Sequence, residues 1–209
     1  MKKIFLLLAL YMLFFTGCSE DVVMRVKKDA ERKSVSISKD IQAPGTMSNL
    51  HGLRMSDFLL FPILEHAEIN RKEGETIAAL MKQHNIDISE IVLNTFTEMF
   101  DAFGPYRIDN HAKTSIQLKI SRYGLSDPGD FYSTQRLPYL SLNIQVLNEA
   151  GEVLWEYFSY EYAKKGSPEA VETDEILENP GMLRKIWAHE ARIVSKKIID
   201  RMPADLIAE

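Results

Sequence analysis

Apolar positions recur at two periods along this chain, and the switch between them marks its elements. From Ile88 to Phe103, residues Ile88, Ile91, Val92, Phe96, Met99 and Phe103 fall at helical spacing. Asp87 and Glu90 stand at capping-box spacing, one accepting from the first turn and the other reaching back. Gly104-Pro105 supplies the stop. The period then drops to two. Ile116, Leu118 and Ile120 alternate with Ser115, Gln117, Lys119 and Ser121, and Leu140, Leu142, Ile144 and Val146 alternate with Ser141, Asn143 and Gln145. Asn148-Glu149-Ala150-Gly151 reads as a hairpin turn into a strand from Val153 to Tyr162. In that strand the bulky residues change parity. Val153, Trp155 and Tyr157 are odd, whereas Phe158, Tyr160 and Tyr162 are even; a bulge near Tyr157–Phe158 would reconcile them. A second helix is expected from Asn179-Pro180, an N-cap followed by Pro at the first helical position. Leu183, Trp187, Ala191, Val194 and Ile198 form its stripe, Ile186 and Ile193 widen it, and Met202-Pro203 ends it.

The fold class implied is α+β: an antiparallel sheet of about four strands with two long helices packed on one face, an α/β sandwich. Further upstream, Phe58 to Ile63 is a short apolar run that reads as a buried strand. Pro62 lacks an N–H, so that strand lies at an edge or ends there. Glu73 to Gln83 reads as a short helix. Ser19 to about Ser56 carries dense mixed charge and reads as a partly ordered tether, with Val35 and Ile37 as a short strand. Such a tether, when flexible, spans roughly 30 Å. The expected organisation is residues 1–17 as a leader, 18–56 as tether, 57–203 as one folded domain and 204–209 as a tail.

The leader is the most specific signal. Lys2 and Lys3 precede an uncharged apolar run from Ile4 to Phe15, and Ser19-Glu20-Asp21 follows at once. A membrane-crossing helix needs about 20 apolar residues, so this run is too short to span. A basic start, a short apolar stretch and small residues Thr16 and Gly17 make a secretory signal peptide. Phe15-Thr16-Gly17-Cys18 resembles the lipobox of bacterial lipoproteins, with Phe15 where that family prefers Leu. The resemblance implies that Cys18 takes a diacylglycerol on sulfur, that cleavage occurs before it, and that its new amino group is acylated. Stable anchoring takes roughly two acyl chains, at about 0.8 kcal/mol per buried methylene. The membrane partner is therefore engaged through N-terminal acyl chains. In that family a Ser after the Cys, here Ser19, is compatible with export to the outer membrane, whereas Asp favours retention in the inner one. The expected location is the outer membrane, with the domain facing the periplasm. Cys18 is the only cysteine, so no thiol remains for a disulfide, a metal or a nucleophile.

Charge removes one class of partner. The whole chain has 25 basic and 30 acidic residues. Lys2 and Lys3 leave with the leader, so the acidic excess grows from five to seven. A nucleic-acid binder should present a basic face, and this chain shows the reverse.

Catalytic and metal motifs are incomplete. His189-Glu190-Ala191-Arg192-Ile193 begins like a zinc-protease motif, but Ile193 stands where the second His must be, leaving His189 as an exposed helix histidine. Gly124-Leu125-Ser126-Asp127-Pro128 begins like a nucleophile elbow, but Pro128 replaces the final Gly and the segment reads as a turn. His51, His66, His84 and His111 show no ligand spacing, and Glu65, Glu68, Glu73 and Glu75 read as a solvated acidic surface. The expectation is a non-enzyme with no catalytic residue, no metal and no cofactor.

Two stretches suit a partner contact. The connection from Gly124 to Pro138 is long for a hairpin and offers Phe131, Tyr132 and Arg136. The aromatic run Trp155, Tyr157, Phe158, Tyr160 and Tyr162 could line a lipid-binding or partner surface, although a β-sheet favours aromatics in any case. The contact residues chosen are Phe131, Tyr132, Arg136, Trp155 and Tyr157. A lipobox, a strand ending in Phe-Pro, an amphipathic helix, paired strands around Gly151-Glu152-Val153-Leu154-Trp155 and a C-terminal helix resemble a loose group of small envelope lipoproteins with an α/β sandwich. That group includes the lipopolysaccharide-assembly lipoprotein, auxiliary lipoproteins of ABC-type lipid transporters and the curli-secretion lipoprotein. The resemblance implies a non-catalytic accessory of an envelope assembly or transport machine, with an envelope protein as partner. The alternative is a periplasm-facing carrier of a lipid or other hydrophobic ligand; a third reading, an envelope hydrolase, has no intact motif.

Overall fold

The computed structural model describes residues 33–45, 47, 74–126, 135–164 and 166–207. Cys18, the Phe58–Ile63 run, Phe131 and Tyr132 lie outside the described residues.

Six strands form the sheet: β1 Ser34–Ile37, β2 Arg107–Ile108, β3 Ser115–Ser126, β4 Gln135–Leu147, β5 Val153–Tyr162 and β6 Val171–Glu172. Among the described residues, four helices accompany them: α1 at residues 74–83, α2 Ile88–Phe103, α3 Thr173–Glu178 and α4 Met182–Ile199. The main order is β2-β1-β3-β4-β5, and β6 pairs with the start of β4. The mixed α+β class expected from the sequence holds, but the sheet has six strands where about four were expected. The extra strands are short. β2 and β6 span two residues each, too few to show a period, and their partners alone define them.

β3, β4 and β5 make an antiparallel meander. Ile116, Leu118 and Ile120 are buried, while Gln117 and Lys119 are exposed. Ser121 is an extra residue between the Ile120 and Arg122 pairings, and this bulge swings Tyr123 and Leu125 onto the same buried face. The β4–β5 turn forms as expected. Asn148 Oδ1 accepts from the backbone N–H of Ala150 (3.0 Å) and Glu152 (2.9 Å), and Gly151 adopts a φ of +81° that an L side chain rarely takes.

Within the stretch read as a tether, β1 lies between β2 and β3, parallel to both. Backbone bonds hold it on both sides: Ser36 and Ser38 donate to Thr114 and Ile116, and Arg107 and Asp109 donate to Lys33 and Val35, all at 2.8–2.9 Å. The C-terminal end folds back nearby. The buried Tyr106 hydroxyl donates to the Pro203 carbonyl (2.6 Å) and accepts from the Leu206 N–H (3.0 Å). Lys33 Nζ donates to the Ile207 carbonyl.

α2 begins and ends where its sequence signals stand. Asp87 accepts from the N–H of Ser89 (2.8 Å) and Glu90 (3.5 Å), satisfying two N-terminal donors. Ile88, Ile91, Val92, Phe96 and Met99 are buried as expected. Phe103 is not: it is 62% exposed, and Phe100 is buried instead. The helix terminates at Gly104, whose N–H bonds the Phe100 carbonyl at 2.7 Å, and the last turn carries Phe103 clear of the core. A Cβ on residue 104 would lie 2.4 Å from that carbonyl oxygen.

α4 starts later than its signals suggest. Asn179 closes α3, donating its N–H to Glu175, and the Asn179 and Pro180 carbonyls accept from Met182 and Leu183. The Asn-Pro pair thus forms the corner between two helices, and Gly181 at the start of α4 provides no side-chain cap. The expected stripe of Leu183, Trp187, Ala191, Val194 and Ile198 is wholly buried. α2 and α4 pack on each other, and α4 lies along β4 and β5. Trp187 meets the Tyr123 ring edge-on at 5.9 Å.

Candidate interaction surface

Register decides what β5 shows to each side. Residues paired across an antiparallel ladder share a face. Leu140, Leu142, Ile144 and Val146 of β4 are fully buried and pair with Glu161, Ser159, Tyr157 and Trp155. The odd residues of β5 therefore face the helices. Trp155 and Tyr157 are half-buried there, stacked on each other at 5.7 Å and packed against the core. The even residues Glu156, Phe158, Tyr160 and Tyr162 pair with Gln145, Asn143, Ser141 and Tyr139 on the opposite face.

The expected bulge at Tyr157–Phe158 does not exist. The register shift comes at Leu154, before Trp155, and from there the ladder runs unbroken to Tyr162. Both parities carry aromatics because each face of the strand has its own use for them.

The even face is an aromatic ladder. Phe158 and Tyr160 lie 6.1 Å apart, Tyr160 and Tyr162 meet edge-on at 5.5 Å, and Tyr162 stacks on Tyr139 at 5.4 Å. Phe158 is 53% exposed, Tyr160 54% and Tyr162 41%, whereas Tyr139 is buried and anchors the row from β4. Val153 and Leu154 extend the exposed apolar surface to the hairpin end. Each aromatic pair contributes on the order of 1 kcal/mol beyond its buried area, so the row holds its own geometry. Glu156 ends the ladder on the polar side, accepting from Asn143 Nδ2 (2.7 Å) and Gln145 Nε2 (3.1 Å). Those two bonds hold its carboxyl below the ordinary range.

β5 is also the last strand of the main order, and among the described residues no strand pairs with its outer edge. The Ala163 N–H bonds inward to Pro138, while the Tyr160 carbonyl is met by Lys197 of α4 at 3.2 Å. Lys197 also binds the Glu161 carboxylate. A lysine at an open edge is a common guard against indiscriminate strand pairing. The edge is thus covered at one carbonyl by a flexible side chain.

The remaining sequence-chosen residues are not assembled with this surface. Arg136 is half-buried at the start of β4, where the backbone pairs with Val171 of β6. His189 is exposed on α4, with its Nε2 3.0 Å from Glu169 Oε1. Among the described residues no cluster of three His, Cys, Asp or Glu could hold a metal, and no helix is long and apolar enough to cross a membrane.

Sequence reasoning passed over Glu190. It is fully buried on α4, and among the described residues neither carboxylate oxygen has a hydrogen-bond partner. Burial, with Glu161 and Glu169 adding repulsion, pushes its carboxyl up to about 7, against a smaller opposing pull from Lys197. The signal was present. Leu183, Trp187, Glu190 and Val194 follow one another at spacings of four, three and four, which places Glu190 on the apolar stripe.

No family model matches this chain, and no curated protein sequence matches it. Several solved structures are similar in part. A minor lipoprotein from Acinetobacter baumannii is 12% identical, with a TM-score of 0.40, covering 82% of this chain and 97% of that one. Protein XCC0632 from Xanthomonas campestris is 9% identical, also with a TM-score of 0.40; the match covers 53% of this chain and 58% of that protein's length. The lipoprotein GNA1162 from Neisseria meningitidis is 10% identical, with a TM-score of 0.27, covering 74% of this chain and 97% of that one.

Proposed function

We propose that this chain is a lipid-anchored envelope lipoprotein that acts by docking, as a non-catalytic accessory of an envelope assembly or transport system. The anchor is Cys18, with the domain facing the periplasm and Ser19 favouring the outer membrane. The observation that carries docking is the β5 ladder. Phe158, Tyr160 and Tyr162 stand half-exposed in a row on a ten-residue strand whose outer edge pairs with no strand among the described residues. Aromatic side chains are enriched in interface cores, and contiguous exposed apolar surface marks contact sites. The occupant fitting both features is an envelope protein that lays an apolar surface on the ladder. Carriage of a hydrophobic ligand between helices and sheet would need space that Trp187, Phe96 and Phe100, all fully buried, occupy.

The test places a photo-crosslinking amino acid at position 160 in intact cells, with position 117, exposed on β3, as control. One discrete adduct from 160 and none from 117 is expected, and Cys18→Ala should abolish it by releasing the chain from the membrane. Absence of adducts from 158, 160 and 162 in an anchored, folded chain would remove β5 as the docking surface.

A further inference from the structure

Glu190 occupies a place where a carboxylate is costly. It is fully buried on the inner stripe of α4, and among the described residues neither of its oxygens has a hydrogen-bond partner. A carboxylate buried without a counter-ion or donor is far less stable than its protonated form. The charges acting on it flank the seam between α4 and β5. Glu161 on β5 and Glu169 in the following turn oppose ionisation, and Lys197, two helical turns along α4, favours it. Lys197 is already engaged: it binds Glu161 and the Tyr160 carbonyl. His189, next along the helix, pairs with Glu169.

We propose that Glu190 is a proton-operated latch: protonated, it lets α4 seal against β5; ionised, it adds a third carboxylate to the seam and drives α4 and β5 apart. Lys197 ties the latch to the outer edge of β5, because the ammonium that covers the Tyr160 carbonyl is the cation drawn toward an ionised Glu190. The latch stands on the burial of Glu190 and on the charged groups that flank the seam. Only its bearing on docking rests on the function proposed above.

The direction with pH follows from the raised carboxyl. Its folded value, about 7, lies above the ordinary glutamate value near 4.3, so the seal is complete in acid and is lost as pH rises toward 7. Hydrogen-exchange protection of α4 and β5 amides, measured on the full lipidated chain in detergent micelles, reads this opening. Between pH 5 and pH 7 this group should lower protection about 40-fold. Glu190→Gln should remove that fall. Glu161→Gln, on the half-buried rim, takes away one opposing carboxylate and should move the fall to lower pH. Flat wild-type protection, or an equal fall in Glu190→Gln, overturns the latch. Should Glu190→Gln not fold, an unshifted fall in Glu161→Gln overturns it instead. Repeating the position-160 crosslink at pH 5.5 and pH 8 separates the two readings. Adducts that ignore pH beside a pH-dependent exchange cut the latch from docking, and adducts lost at both pH values reject docking while the latch stands.

Discussion

α2 and α4 lie against each other in one core yet are built differently. α2 buries an apolar stripe with only Thr95 among it, and its first turn is capped by Asp87. Among the described residues, α4 has no side-chain cap and buries Glu190, Ser195 and the Trp187 indole nitrogen without hydrogen-bond partners. Unpaired buried polar groups each cost on the order of 1–3 kcal/mol. One helix therefore concentrates stabilising features, and its neighbour concentrates groups that stability alone would have removed. Functional sites are places where such local rules are broken, at a cost met elsewhere in the fold. α4 is also the helix that runs behind the exposed strand.

Substitutions can break this contrast. The largest effect is expected from Phe96→Ala, which empties the fully buried centre of α2 and removes one ring of the Phe96–Phe100 pair stacked at 5.5 Å. Urea unfolding should show a loss of about 3–5 kcal/mol. Next, Glu190→Leu should do the reverse in α4. At pH 8, where the native side chain is ionised, the variant should gain about 2 kcal/mol, and the gain should shrink at pH 5. Destabilisation at both pH values would mean that the carboxyl contributes a favourable interaction, and the contrast would fail. The smallest effect belongs to Asp87→Ala. Loss of its two backbone acceptor contacts should cost about 1 kcal/mol in the same unfolding measurement.

The sequence made α2 legible because all of its signals are local: a cap, a 3.6-residue period and a Gly-Pro stop within nineteen residues. The inner faces of β3 and β4 were legible for the same reason. β1 was not. Val35 and Ile37 suggest a strand, but nothing near them says that the partners lie seventy residues away or that the pairing is parallel. At Asn179-Pro180 two sound local signals marked a corner between helices, because α3 had already been set against β6. β5 shows the limit most clearly. Ten residues rich in aromatics carry no mark of which parity is inward, and only the register with β4, fixed through the Asn148–Gly151 turn, turns Trp155 and Tyr157 in and Phe158, Tyr160 and Tyr162 out. The surface residues chosen from sequence thus included the inward pair. The rest of that choice, Phe131 and Tyr132, lies outside the described residues.

β1 has a mechanical consequence. Under the anchoring proposed at Cys18, tension would enter the described fold at Lys33 and Ser34, at the start of a strand gripped on both sides by parallel neighbours. A pull along that strand loads the bonds from Ser36, Ser38, Arg107 and Asp109 together, in shear, and cannot peel them one at a time. Under that proposal the fold would meet its leash at a point suited to bear tension.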